Sequence, residues 1–295
     1  MPHSAWYRRQ GPRKGWPPSG KGLRLGRREV PGTLPGTSRR FPRCRSRPYL
    51  CRVPDFESGI GPIAIVGRGR MGEALAAALR QVGARVTGPL GRGATGEGAK
   101  VVLLCVPDRE IARAAQPVMR GPLVGHVSAS APLDLLAPHE RFGLHPLLSV
   151  VGAGTNFTGA TCAVEGSSER ALETARALAR RLGMTPRTIA SDDRALYHAA
   201  ASAASNFLVT LEGMAEQLAA KVGVERAALA PLVRASVENW VTLGASAALT
   251  GPIARGDEET AARQRAAVAD RAPDLVPLWD ALEDGTRALA SARRE

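Results

Sequence analysis

Residues 63–72 read Ile63-Ala64-Ile65-Val66-Gly67-Arg68-Gly69-Arg70-Met71-Gly72. The apolar run Ile63 to Val66 predicts a strand, and it leads directly into a Gly-x-Gly-x-x-Gly turn. The next residues, Glu73 to Arg80, form an Ala/Leu-rich helical pattern. Strand, glycine turn and helix in that order are the dinucleotide-binding fingerprint, and each glycine has its own reason. Gly67 permits the sharp turn off the strand, Gly69 leaves room for a pyrophosphate, and Gly72 lets the helix pack close to the sheet. The helix N-terminus then offers unpaired N–H groups and a partial positive charge to phosphate. The competing reading is a glycine-rich turn in an ordinary α/β unit without ligand. Because a strand and a helix flank the turn, we favour the ligand and assign Gly67, Arg68, Gly69, Arg70, Met71 and Gly72 to cofactor binding.

The net charge of +13 over 295 residues suggests a nucleic-acid partner until the charge is divided along the chain. Residues 1–59 carry 14 Lys/Arg against 3 Asp/Glu, and residues 60–295 carry 26 against 24. The basicity therefore belongs to a Pro-, Gly- and Arg-rich leader with little apolar periodicity, which we expect to be disordered. Three readings compete for the leader: a nucleic-acid or membrane-surface tail, a transit peptide, and translation upstream of the true start. We favour the third, with a native start between about Val53 and Gly61. No run of 18 uncharged apolar residues and no signal-peptide core is present. Cys44, Cys51, Cys105 and Cys162 lack metal-ligand spacing, so we expect no metal site. This cysteine usage fits a reducing cytoplasm, with Cys105 a small core residue.

Further strands are expected at 84–87, 99–106, 123–128, 161–164 and 187–190, with a helix at about 169–182. The run Ala99 to Val106 has the near-continuous apolar character of a strand buried on both faces. Beyond residue 189 the pattern becomes helical, over roughly 192–222, 226–248, 257–270 and 274–292, with Ser191 and Asp257 as N-caps. The predicted fold class is α/β: a Rossmann-type doubly wound parallel sheet over 60–189, followed by an all-helical domain over 190–295. Such interdomain clefts are favoured ligand sites.

In a doubly wound sheet the cofactor crosses the carboxyl ends of the strands. Those ends hold Gly67 to Gly72, Thr87 to Arg92, Val106-Pro107-Asp108 and Ser128-Ala129-Ser130. An NAD site normally carries an acid after its second strand. Thr87 stands there instead, with Arg92 close behind and Arg68 in the glycine loop. A missing acid among guanidinium groups suits a 2′-phosphate, which favours NADP over NAD. Thr87, Arg92, Val106, Pro107 and Ser128 join the expected cofactor contacts.

For catalysis we select His145, in Gly143-Leu144-His145-Pro146, as a general acid or hydrogen-bond donor. Further on, His198, Ser202 and Ser205 are spaced to share one helix face, with Asn206 beside them. Asn206 is taken as catalytic and His198 as a substrate contact, against the plainer reading of a packed helical seam. The turn 250–257 is rigid and carries a cation, so Thr250 and Arg255 are candidates for binding a substrate carboxylate.

The opening Gly67-Arg68-Gly69-Arg70-Met71-Gly72-Glu73-Ala74-Leu75 resembles pyrroline-5-carboxylate reductase and the deazaflavin-dependent NADP oxidoreductases. The stretches 143–147, 199–208 and 248–257 resemble a narrower, little-characterised bacterial family with a Rossmann-like N-terminal domain and a helical C-terminal domain of unknown function. The resemblance covers about 60–290. It implies an NADP-type Rossmann domain, a 6-phosphogluconate-dehydrogenase-like helical domain and a homodimer formed through the latter. β-Hydroxyacid dehydrogenase relatives use a catalytic lysine on the first interdomain helix, yet no lysine lies between Lys100 and Lys221 here.

The expected function is therefore an NADP-dependent oxidoreductase moving a hydride to or from a small C=N or C=O substrate. The main alternative is a non-catalytic NADP-binding sensor, and a second is a nucleic-acid-associated protein acting through the leader.

Overall fold

The computed structural model describes residues 60–292, all within one of the two units, 1–51 and 52–295, into which the chain divides. The expected basic leader at 1–59 lies outside the described residues. The strands β1 (Ile63–Val66), β2 (Val86–Leu90), β3 (Val101–Leu104), β4 (Leu123–His126), β5 (Arg141–Pro146), β6 (Thr161–Gly166) and β7 (Thr185–Thr188) form one sheet. Its order is β2-β1-β3-β4-β5-β6-β7. Strands β1 to β5 are parallel, and β6 pairs antiparallel with β5, with β7 following it in parallel. The sheet is thus mixed, and its Rossmann-type half carries the glycine turn.

Alternation along the strands builds two cores. Ile63, Ile65, Phe142 and Leu144 pack beneath α1 (Arg70–Gln81) and α3 (Glu169–Arg181), meeting Leu75, Leu79 and Leu178. On the other face Ala64, Val66, Val102, Leu104 and Val124 meet Ile111 and Ala115 of the short α2 (Ile111–Ala115) and the turn at 133–136.

β7 lies two residues before the expected 187–190, and two further strands depart more strongly from the expectation. β2 runs to Leu90 and does not end at Thr87, because Gly88 at φ +109° carries the chain through an irregularity opposite Ala64–Val66. A Cβ there would lie 2.4 Å from the Ile65 carbonyl oxygen, so the strand continues only with glycine. β5 was not expected as a strand. Its Gly143, His145 and Pro146 disguise the pattern, although Phe142 and Leu144 alternate into the core.

After β7 come α4 (Arg194–Ser202), a π-turn over Ala203–Phe207, α5 (Leu208–Ala220), α6 (Arg226–Leu243), the short α7 (Ala245–Ala248) and α8 (Pro252–Arg255), α9 (Glu258–Arg271) and α10 (Val276–Ser291). The helix expected over 192–222 is divided by the π-turn, and that over 226–248 is broken at Gly244, φ +78°. Asp257 caps α9 as expected, accepting from Thr260 N at 3.0 Å. Ser191 instead opens a 3-10 turn that has no side-chain cap. These helices leave Leu196, Phe207, Val209, Leu232, Trp240, Val241 and Leu243 each more than half exposed. No helix among the described residues is long and apolar enough to cross a membrane.

Gly125 of β4 packs closely against its register partner Phe142, whose fully buried ring would stand 2.4 Å from a Cβ at 125. Gly125→Ala should cost about 1–3 kcal/mol by overpacking, read as a lowered urea-unfolding midpoint. An unchanged midpoint would show that the ring moves aside freely.

Candidate functional site

The turn after β1 is held against the end of β3. Gly67 has φ +120°, and a Cβ on it would fall 2.1 Å from the Cys105 carbonyl oxygen. Gly72 packs as tightly, its Cβ position 1.9 Å from the Gly67 oxygen. Gly69 differs from both. Its φ is an ordinary −83°, and nothing lies within 4 Å of its Cβ position. The fold itself therefore does not require glycine at 69, whereas a ligand passing close to the backbone would.

That open space belongs to a cleft of about 670 Å³ at the carboxyl ends of β1, β2 and β3. Gly67, Arg68, Gly69, Arg92, Val106 and Pro107 line it, so six expected cofactor residues come together. Arg109 and Arg113 also line it and were not singled out from the sequence, although their i, i+4 spacing after β3 places both on one side of a helical turn. Arg68, Arg92 and Arg113 have no hydrogen-bond or ion-pair partner among the described residues, and Arg109 has only a long contact to Glu110. The Arg68 guanidinium lies 3.5 Å from the Cβ position of Gly91, directly beyond β2. This is where a carboxylate stands in NAD sites. No side chain caps α1, which leaves its first N–H groups beside the glycine turn.

The other expected cofactor residues fall outside the cleft. Thr87 is paired with Ala64 within β2, because the strand runs three residues further, and it borders a shallower depression with Arg92 to Glu97. Arg70 opens α1 and is exposed, Met71 packs toward the core, and Gly72 lies beneath the turn. Ser128 is buried, with its hydroxyl donating to Asp108 at 2.8 Å and accepting from the N–H groups of Ser130 and Ala131.

A polar cluster sits further along the same sheet edge. Helix α4 crosses β5 so that Arg194 lies over Gly143 and Tyr197 meets His145, pairing an i, i+3 spacing with an i, i+2 spacing. Arg194 donates to the carbonyls of Ala129 at 3.2 Å and Ser128 at 3.4 Å and forms an ion pair with Glu165. Tyr197 Oη stands 3.1 Å from His145 Nδ1, with the rings edge to face at 5.6 Å. His198 stacks edge-on to His145 at 6.5 Å. Tyr197 and Arg194 were missed in the sequence. The signal was present in the spacing of Arg194, Tyr197 and His198, but not in the partner strand, which was unrecognised.

Burial lowers His145 to about 4, helped by the positive field of His198 and Arg194, so the imidazole is neutral near pH 7. This argues against His145 as a cationic general acid. Burial likewise raises the Tyr197 phenol to about 12. His126, fully buried at the end of β4, is lowered to about 4 by burial and then by Arg194, and its Nδ1 accepts from Ser128 N.

Asn206 lies exposed in the π-turn. Thr250 lines a separate cavity of about 250 Å³ with Leu211, Met214 and Trp279, and Arg255 ends α8 against α9 and α10. No hydrogen bond or ion pair among the described residues joins either to the sheet edge. No group of three or more His, Cys, Asp or Glu is placed to hold a metal among the described residues.

Residues 160–286 match the family described as "Domain of unknown function (DUF2520)". No curated protein matches the chain by sequence. Three of the many solved structures that share its fold illustrate the likeness. A Bacteroides fragilis protein provisionally assigned as an NADP oxidoreductase is 20% identical with TM-score 0.67, covering 78% of this chain and 98% of its own. A reductive aminase from Aspergillus terreus, in complex with NADPH and ethyl levulinate, is 14% identical with TM-score 0.57, covering 79% and 98%. The 1-pyrroline-5-carboxylate reductase of Streptococcus pyogenes is 16% identical with TM-score 0.53, covering 77% and 98%. The chain has a Rossmann-type fold, and the match to the domain of unknown function runs from β6 through α3 and β7 into the C-terminal helices.

The two lowered histidines make stability depend on pH. The unfolded chain protonates near the ordinary 6.5 and the folded chain near 4, so stability is full above 6.5 and is lost as pH falls toward 4. The urea midpoint should fall across this window, each imidazole adding up to about 1.4 kcal/mol per pH unit. A flat profile between pH 6.5 and 4.5 would contradict their buried, neutral state.

Proposed function

We propose that this protein is an NADP-dependent oxidoreductase that transfers a hydride to or from a small C=N or C=O substrate between the sheet edge and α4. The observation that carries the reading is the cleft itself: a glycine at 69 that no packing requires, opening toward the guanidinium groups of Arg68, Arg92 and Arg113, which have no hydrogen-bond or ion-pair partner among the described residues. The shared fold with the Bacteroides protein and with the NADPH-bound reductive aminase supports it.

The residues present fit the cofactor. The first N–H groups of α1 would hold the pyrophosphate, Arg68 and Arg92 the 2′-phosphate, and Val106 and Pro107 the floor beside it. Arg109 and Arg113, which line the same cleft, add positive charge. The bound cofactor would supply the hydride, and the chain supplies position, charge and a proton. His145 presents a neutral imidazole at the sheet edge, and His198 and Asn206 are proposed to contact the substrate from the helical side. We place this work in the cytoplasm, where the free, buried Cys105 and Cys162 stay reduced.

We also propose a homodimer formed through the helical region. A single copy leaves large apolar side chains bare along α4, α5 and α6, and exposed apolar surface of this kind marks an interface. Sedimentation velocity at micromolar concentration should give twice the monomer mass, and Trp240→Glu should shift it toward monomer. A wild-type monomer would refute the dimer.

Arg92→Ala should weaken NADPH and 2′,5′-ADP binding by ~10–100-fold, as expected for one charge-assisted contact, and leave NADH binding unchanged. Equal loss for NADPH and NADH by calorimetry would remove Arg92 from the 2′-phosphate site. Absence of NADPH binding by wild type would refute the function.

A further inference from the structure

We propose that the Tyr197 hydroxyl, oriented by His145, is the proton donor that completes reduction of the substrate's C=N or C=O bond. The inference rests on the proposed reductase reading and names a proton source that reading lacks.

Hydride addition to carbon displaces the π pair onto nitrogen or oxygen, which then needs a proton within hydrogen-bond reach. The cleft itself offers only arginines and Glu110 as ionisable side chains near its glycine turn, together with the buried thiol of Cys105. At the same sheet edge the hydroxyls of Ser128 and Ser130 both donate to Asp108, so neither is free to give its proton elsewhere. Tyr197 has a different arrangement. Its oxygen is 3.1 Å from His145 Nδ1, and the two rings are held edge to face. With the neutral imidazole carrying its proton on Nδ1, His145 donates to the phenol oxygen and leaves the phenol O–H directed elsewhere.

The step balances. The reduced nicotinamide is oxidised by two electrons, the substrate carbon gains the hydride, and the C=N or C=O π bond breaks. The heteroatom takes the phenol proton as the O–H bond breaks. The phenolate regains its proton from solvent, and His145 keeps its Nδ1 proton throughout, so the starting state is restored.

The surroundings are arranged to keep both groups in these states. Burial is the largest influence against a positive charge on His145, His198 and Arg194 on α4 act in the same direction, and Asp108 after β3 opposes them. Burial, with a smaller contribution from Cys162 on β6, holds the phenol protonated against the pull of Arg194. Glu165 on β6 is occupied by Arg194. Arg194 is a positioning residue here, because it ties α4 to the β4 loop carbonyls and so fixes Tyr197 over His145. Tyr197 is the only tyrosine after residue 49, which makes it separable by spectroscopy.

The test uses the full chain, wild type and Tyr197→Phe, with NADPH affinity measured by calorimetry and reduction of 2-methyl-1-pyrroline and pyruvate followed by NADPH absorbance. Without cofactor, tyrosinate absorbance is titrated in both proteins, and their difference isolates Tyr197. Expected are NADPH affinity within twofold, kcat lower by ~100-fold or more, and a Tyr197 ionisation well above the ordinary ~10. His145→Gln should lower kcat and shift that ionisation, which a merely structural tyrosine would not link. Three results overturn the proposal: kcat of Tyr197→Phe within threefold of wild type, Tyr197 ionising at its ordinary value, or NADPH binding by wild type with neither probe reduced. Failure of wild type to bind NADPH overturns the reductase reading itself, and is distinct from all three.

Discussion

The backbone of the β1–α1 turn lies on the end of β3 with no room for a side chain. A Cβ at Gly67 would stand 2.1 Å from the Cys105 carbonyl oxygen, and one at Gly72 would stand 1.9 Å from the Gly67 oxygen. These two contacts set where α1 begins and which backbone atoms border the cleft. They also separate two kinds of glycine. Gly67 and Gly72 answer a demand of the chain, through a positive φ in one case and close packing in the other. Gly69 answers neither, and its open surroundings are the reason to read the turn as a ligand site and not only as a tight connection.

Electrostatics extend that reading. Arginines elsewhere in the protein commonly find carboxylates, as with Arg265 on Asp280 and Arg287 on Glu258 and Glu283. Around the cleft Arg68, Arg92 and Arg113 have no such partner among the described residues, and Arg109 has only a 4.0 Å contact to Glu110. Guanidinium groups left unpaired in one concave site favour a multiply charged anion, because each can form a charge-assisted bond that no protein group supplies. A second organising contact lies at the other end of the site. Arg194 reaches from α4 to two carbonyls after β4 and to Glu165, so the first helix of the C-terminal region is aligned on the sheet where His145 emerges.

The sequence revealed much of this. Ile63 to Gly72 announced the strand, turn and helix, and the apolar run at 99–106 announced a central strand, because both signals are local. Thr87 was misplaced for an equally local reason. Gly88 and Pro89 look like a stop, and only the fit against Ile65 shows that β2 passes through them. His145 was selected as a lone loop histidine, whereas it is a strand residue whose neighbours arrive from more than fifty positions later. Tyr197 was invisible as a functional candidate, since its role depends on β5, and β5 was not recognised. Arg109 and Arg113 were passed over because a charged pair on a short helix normally reads as a solvated face. Thr250 and Arg255 were chosen because a rigid turn bearing a cation looks like a binding loop, and in one copy that turn packs among the C-terminal helices.

The central claim is that the space before Gly69 and beside Arg68 and Arg92 is shaped for the phosphates of NADP. A crystal structure of the full chain grown with NADP+ tests it most directly. The account predicts the pyrophosphate over Gly69 at the start of α1 and the 2′-phosphate within hydrogen-bond distance of Arg68 and Arg92. A dinucleotide bound elsewhere, or bound with both arginines turned away from the 2′-phosphate, would contradict it.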